Sequence, residues 1–325
     1  MERRTLGRTG LTVSVLGYGA GAVGGLMVRG TPAEQERSIG RALEAGITYF
    51  DTAPAYGDGT SERNLGRALR ALGADPVLGT KVRLSPADRA DIAGAVAASL
   101  EASLGRLGRD SVHLFQLHNT ITAAGEGNTL RPDQVLNQVL PALQRLRDAG
   151  KCRFIGITAV GEASALHQIV RSGAFDTAQI PYNLLNPSAL SALPPGCPGE
   201  DFQGLMAEAA RQGMGVIGIR ILAAGALSGE AARHPVAMQQ VAPIATAADY
   251  ASDLANARHL MPLVAEGHVA SLAEAAIRFA VTPPEMSTAL IGTASLAQLE
   301  TAIAAAEKGS LPGEILARIA ALQSR

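Results

Sequence analysis

Eight short apolar runs, each followed by a stretch of helical periodicity, set the narrowest limit on what this chain can fold into. The runs are residues 15–19, 49–50, 77–80, 112–117, 153–157, 177–180, 216–219 and 288–291. The helical stretches between and after them are 32–45, 62–71, 87–104, 133–149, 163–171, 202–211, 272–279 and 296–305. A strand that reaches the next one through a helix must pair with it in parallel, and the crossover is right-handed. Eight such units close into a (β/α)8 TIM barrel. Ahead of the first unit, Thr5-Leu6 and Leu11-Thr12-Val13-Ser14 flank the turn sequence GRTG, which predicts a β-hairpin capping one end of the barrel.

With no linker, repeat or low-complexity tail, the whole of 1–325 reads as one domain. A hydrophobic share of 47% is ample for the large core that a barrel needs. A formal charge of −1 gives no electrostatic reason to expect nucleic acid or an anionic membrane as partner. The N-terminus lacks an apolar signal core and no stretch reaches the ~20 apolar residues of a spanning helix, so the expected compartment is the cytoplasm. Cys152 and Cys197 stand alone, without CxxC spacing or neighbouring ligands, so neither a disulfide framework nor a metal site is expected. The glycines from Gly17 to Gly25 contain one G-x-G-x-x-G spacing, Gly19 to Gly24. No helix is expected to open there, which argues against a dinucleotide-binding turn of the doubly wound kind.

In barrels of this kind the chemistry gathers where strands end and loops begin. Asp51, Lys81 and His118 each directly follow a predicted strand, and Tyr56 lies on the Pro/Gly-broken loop after Asp51. Neighbouring strand ends converge on the barrel axis, so the four side chains can meet. A tyrosine with an ordinary pKa of ~10 is a poor proton donor and a worse base at neutral pH. A lysine ammonium within ~4 Å favours its phenolate by up to about 4 kcal/mol at an effective dielectric near 20. Asp51 is the counter-charge such a lysine needs, and His118 can orient a substrate carbonyl, leaving Tyr56 as general acid or base. These groups supply no hydride, so a cofactor must. Two long connections, 119–131 and 222–261, leave from the same rim and are expected to shape the pocket.

The phrases FDTAPAYGDGTSE, LGTK and FQLHN, with LPALQRLRDAGKCRFIGIT, FDTAQIPYNLLNP and the closing IGTASLAQLETA, resemble the aldo-keto reductase family along essentially the whole chain. The resemblance implies a nicotinamide cofactor, NADPH with NAD(H) possible, no metal, and interconversion of a carbonyl compound and its alcohol. It assigns the catalytic tetrad to Asp51, Tyr56, Lys81 and His118. The cofactor would be held by Thr158, Gln179, Ile219, Arg220, Leu222, Gly225, Leu227, Ser228, Gly292, Thr293, Ser295 and Gln298. Thr158 and Gln179 fall at carboxamide positions, Gly225 to Ser228 over the pyrophosphate, and the last four at the adenosine side. Several positions depart from the family pattern. Ala159 stands for a common Asn, Ile219 for an aromatic, Arg220 for a small hydroxyl residue and could bind a cofactor phosphate, Ala294 for a basic residue, and Ala302 for an Asn. The substrate would be a small carbonyl compound or a sugar. Oxidation of an aldose at its anomeric carbon and a nucleotide-binding, redox-sensing regulatory subunit are the alternatives, and oligomeric state is not legible.

Overall fold

Eight parallel strands close on one another. A computed structural model describes residues 1–324. An antiparallel hairpin, β1 (Arg3–Thr5) and β2 (Thr12–Ser14), precedes β3 (Leu16–Gly19), β4 (Tyr49–Asp51), β5 (Val77–Val82), β6 (Val112–Leu117), β7 (Cys152–Thr158), β8 (Thr177–Pro181), β9 (Gly215–Ile219) and β10 (Met286–Ile291). Strands β3 to β10 form a closed barrel in chain order, with β10 pairing both β9 and β3. The predicted (β/α)8 architecture with its hairpin cap is therefore the fold. The hairpin's strands are displaced from the expected ones because its turn is not a two-residue loop: Gly7–Thr9 forms a single tight helical turn.

The hairpin plugs the N-terminal end of the barrel. Leu6 and Val13 are fully buried and pack with Tyr49, Leu114 and Ile217, which come from β4, β6 and β9. Arg4 pins the plug by donating to the carbonyls of Val281, Pro283 and Met286. With that end sealed by side chains, the opposite, C-terminal mouth is left for a site.

Local signals explain the outer helices. Thr31 and Glu34 form a reciprocal capping box before Pro32, which opens the helix Pro32–Glu44. Asp91, Ser271 and Ser295 cap the helices Ile92–Leu107, Leu272–Val281 and Leu296–Glu307. The segment expected to be helical over 133–149 is interrupted. After Pro132–Gln134 the turn Val135–Val139 is widened to i→i+5 bonding, and only then does Leu140–Asp148 proceed as an α-helix. Pro141 is the physical reason, since it lacks the N–H that regular helix bonding requires.

Three connections differ from the sequence reading. A four-residue helix, Leu26–Arg29, does open after Gly25, but it sits in the loop between β3 and the first barrel helix. The 222–261 connection is not all loop: it contains the helix Tyr250–Arg258, capped by Asp249. The path from β8 to the helix Leu205–Arg211 is a third long connection over the mouth. Among the described residues no helix is long and apolar enough to cross a membrane.

Two glycines give the packing a direct test. In the helix Thr60–Ala71, a Cβ on Gly66 would lie 2.3 Å from the Leu107 carbonyl oxygen, whereas one on exposed Gly105 would meet nothing. Gly66→Ala should lower unfolding free energy by about 1–3 kcal/mol despite alanine's better helix propensity. Gly105→Ala should raise it by up to ~1 kcal/mol. Denaturant melts of both variants decide the matter, and a stabilised Gly66→Ala would contradict this close helix contact.

Candidate active site

Asp51 ends β4 with its carboxylate inside the mouth, 3% exposed, and four side chains close on it. Lys81 forms an ion pair with one oxygen. The other accepts hydrogen bonds from Tyr49 Oη at 2.9 Å, Gln179 Nε2 at 2.7 Å and Gln116 Nε2 at 3.3 Å. Strand periodicity accounts for one of these neighbours, because Tyr49 and Asp51 are two apart on one strand and share its inner face. Register brings the others: Lys81 is paired with Gln116 in β5–β6, and Thr158 with Gln179 in β7–β8.

Space for this cluster is made by residues that lack a side chain. A Cβ on Gly79, opposite Asp51 in the register, would come within 2.7 Å of Tyr49 Oη and 3.3 Å of Asp51 Oδ2. One on Gly156 would come within 3.1 Å of Gln116 Cγ and 2.2 Å of Thr177 Oγ1. Backbone bonds carry the ladder beyond the strands and fix the rim. Thr52 donates to the Gly79 carbonyl at 3.0 Å and His118 to the Val82 carbonyl at 2.7 Å.

Lys81 is fully buried, and its Nζ donates to the Thr52 carbonyl at 2.9 Å and to Tyr56 Oη at 3.3 Å. Burial disfavours its charge, but Asp51 and Tyr56 together outweigh that and hold its pKa above the ordinary lysine value. The ammonium is thus a permanent charge beside the tyrosine oxygen. Tyr49 is held the other way: burial and the Asp51 carboxylate push its pKa well up, so it stays a neutral donor. His118 stands edge-on to Tyr56, with ring centroids 5.7 Å apart. Burial, and then the Lys81 and Arg83 cations, push its imidazole down to about 3, and its Nδ1 is buried without a partner among the described residues. The ring is therefore neutral at ordinary pH.

The structure therefore brings Asp51, Tyr56, Lys81 and His118 together. The residues expected around a cofactor stand at the C-terminal ends of β7, β8 and β9 and in the segments that follow β9 and β10. Thr158 ends β7 and Thr293 follows β10, and both hydroxyls are buried without a partner among the described residues. Gln179 is turned to Asp51 through its Nε2. Ile219 ends β9, and Arg220 follows it with a positive φ of 60°. Leu222, Gly225, Leu227 and Ser228 lie in or beside the kinked turn Ala223–Ser228. There Leu227 is fully buried and the Ser228 hydroxyl donates to the Gly225 carbonyl at 2.8 Å. Gly292 is exposed, Ser295 caps the helix Leu296–Glu307 by accepting from Gln298 N–H, and Gln298 Oε1 accepts from Ala294 N–H at 2.8 Å. The sequence reading did not single out Tyr49 or Gln116. Each stands two residues before a predicted site residue, Tyr49 before Asp51 and Gln116 before His118, and that spacing is the signal that could have found them.

The depressed histidine makes a pH prediction. In the unfolded chain His118 takes a proton near its ordinary 6.5, while in the fold it does so only at about 3. Between those values the unfolded state binds more protons, so stability falls as pH falls below 6.5. His118→Asn should remove up to roughly 2 kcal/mol of the stability lost between about pH 7.5 and pH 5. Urea melts at the two pH values measure it, and an equal loss in both proteins would mean that the folded histidine accepts a proton freely.

The model of the aldo/keto reductase family matches residues 15–324. L-galactose dehydrogenase of Arabidopsis thaliana is 29% identical, the match covering 94% of this chain and 88% of that protein. D-threo-aldose 1-dehydrogenase of Pseudomonas sp is 32% identical over 61% of this chain and 66% of its own length. Among solved structures, aldo-keto reductase AKR11C1 from Bacillus halodurans, in its holo form, is similar in fold with a TM-score of 0.74, at 22% identity, covering 99% of this chain and 96% of that one. From the match along nearly its whole length, this chain belongs to the aldo/keto reductase family and is an oxidoreductase by that membership.

Proposed function

We propose that this protein interconverts an aldehyde or ketone and its alcohol by hydride transfer, with NADPH as cofactor, NADH as a possible substitute, and Tyr56 as general acid/base. The observation that carries the proposal is Lys81 Nζ held between the Asp51 carboxylate and Tyr56 Oη, 3.3 Å from the latter. At an effective dielectric near 20 a full negative charge on that oxygen would gain roughly 4–5 kcal/mol from the ammonium, before desolvation. Tyr56 Oη thus stands beside a fixed positive charge where it can give up a proton to a developing alkoxide or take one from an alcohol.

Each neighbour has a part in that step. Asp51 keeps Lys81 charged and in place, and the three neutral donors on its second oxygen keep the carboxylate from turning towards the substrate. His118, neutral throughout the physiological range, can donate one ring N–H to the carbonyl oxygen without competing as an acid. The nicotinamide cofactor supplies the hydride. The buried, unpartnered hydroxyls of Thr158 and Thr293 fit such a group, standing at the two ends of the arc of expected cofactor residues. From Gly292 to Gln298 no basic side chain is available to a 2′-phosphate, so NADPH would depend there on the backbone amides at the start of the helix Leu296–Glu307.

A second reading, oxidation of an aldose at C1, is favoured by the name of one relative, D-threo-aldose 1-dehydrogenase, and oxidation of a sugar by that of another, L-galactose dehydrogenase. The same acid/base pair serves it, run in the direction of oxidation.

Tyr56→Phe should lower turnover by about 10²-fold or more, the usual contribution of a positioned general acid, without weakening the cofactor. Steady-state assays with NADPH and NADH, beside fluorescence titrations of both, measure the two effects. Undiminished turnover would remove Tyr56 from its role. Titrations in which neither dinucleotide binds would remove the nicotinamide reading altogether.

A further inference from the structure

Two arginines flank the catalytic pair on the rim. Arg83 directly follows β5 and Arg220 directly follows β9. Arg83 acts electrostatically on His118, and Arg220 is acted on by Tyr56 and by Asp253. Neither arginine forms an ion pair among the described residues. With Lys81, three cations surround the mouth. The Asp51 carboxylate among them is fully engaged with Lys81 and its three donors.

Arg220 is held for a purpose its own contacts do not fulfil. Its backbone has φ 60°, a region costly for a residue with a side chain, and Asn183 Nδ2 fixes that turn by donating to its carbonyl at 3.0 Å. Among the described residues its side chain makes one hydrogen bond, from Nη1 to the Ala242 carbonyl at 3.2 Å, out of the five N–H groups a guanidinium carries. Beside it, Asp253 is 1% exposed; one of its oxygens accepts from Thr246 Oγ1 at 2.8 Å and the other has no partner among the described residues. Burial raises the Asp253 carboxyl above the ordinary range, which weakens it as a counter-charge. What remains is a half-buried guanidinium with unused donors at the end of β9, on the rim that also carries Tyr56.

We propose that Arg220 determines specificity, and that the preferred substrates are carbonyl compounds bearing an anionic group, a carboxylate or a phosphate, which Arg220 binds while Tyr56 serves the carbonyl oxygen. The inference rests on the oxidoreductase reading above and narrows its substrate class. It also moves Arg220 from a cofactor phosphate to the substrate, because Arg220 follows β9 on the rim that carries Tyr56 and interacts through space with Tyr56 and Asp253. Planar, bidentate pairing with carboxylate or phosphate is the chemistry for which a guanidinium is suited. Arg83, which directly follows β5 on the same rim, adds long-range attraction for the same charge.

The test compares matched probes: 4-carboxybenzaldehyde against methyl 4-formylbenzoate, and glyceraldehyde 3-phosphate against glyceraldehyde, with NADPH and with NADH. The anionic member of at least one pair should have the higher kcat/KM by about 10-fold or more, as expected for a charge-assisted contact. That advantage should shrink as ionic strength rises. Arg220→Met carries a similar backbone penalty and removes the charge together with the hydrogen bond to the Ala242 carbonyl. It should raise KM for the anionic probe and bring the ratio towards one, while Arg220→Lys keeps part of it. Equal kcat/KM within both pairs for the wild-type protein would overturn the inference and leave the oxidoreductase reading standing. A weakened NADPH Kd in Arg220→Met with the probe ratio unmoved would return the arginine to the cofactor. Absence of turnover of all four probes with either cofactor would overturn both readings.

Discussion

The ion pair between Lys81 and Asp51 is the constraint on which the mouth of the barrel depends. Two opposite charges taken out of water cost several kcal/mol each unless their geometry and remaining hydrogen bonds are satisfied. Here they are: Asp51 has donors from Tyr49, Gln116 and Gln179, and Lys81 gives one hydrogen to the Thr52 carbonyl. Only one of the lysine's directions is left, and it points at Tyr56. The arrangement that makes the pair tolerable in the interior is therefore the one that gives the tyrosine its electrostatic partner.

That pair explains features far from it. Glycines at 79 and 156 leave the wall open where Asp51, Tyr49 and Gln116 must fit. Tyr49 links the two ends of the barrel: its ring packs with Leu6 and Val13 of the hairpin plug, and its hydroxyl reaches Asp51. Removing the plug would expose the underside of the network, so the hairpin, which touches no substrate, supports the site from below. Above the mouth, the connections from β8 and β9 interlock through buried polar groups. Asn186 Nδ2 donates to the carbonyls of Glu200 and Ala245, and Asn183 Nδ2 to that of Arg220. The position of Arg220 is thus set by residues outside the barrel proper.

Local structure was legible for physical reasons that can be named. Short apolar runs and helical periodicity depend on neighbours within a few residues, and so do caps such as Thr31 and Ser295. The boundaries slipped where a turn used other than the expected geometry, as at Gly7–Thr9, or where Pro141 widened a helix. Long connections carry no period, and so the helix Tyr250–Arg258 and the third long connection, after β8, escaped notice.

By itself the sequence determined the alternation of strand and helix, hence a parallel closed barrel, and it placed Asp51, Lys81 and His118 at strand ends with Tyr56 on the adjoining loop. Tertiary structure alone decided which side chains complete the network. Gln116 and Gln179 meet Asp51 across 65 and 128 residues of chain, through the register of β4 to β8 around a closed sheet. It also decided that the Arg220 guanidinium reaches the Ala242 carbonyl, because a guanidinium on a flexible stem points where the folded loops above it allow. Periodicity is a property of neighbours in sequence, whereas register and loop packing arise from contacts between residues far apart, which no local pattern encodes.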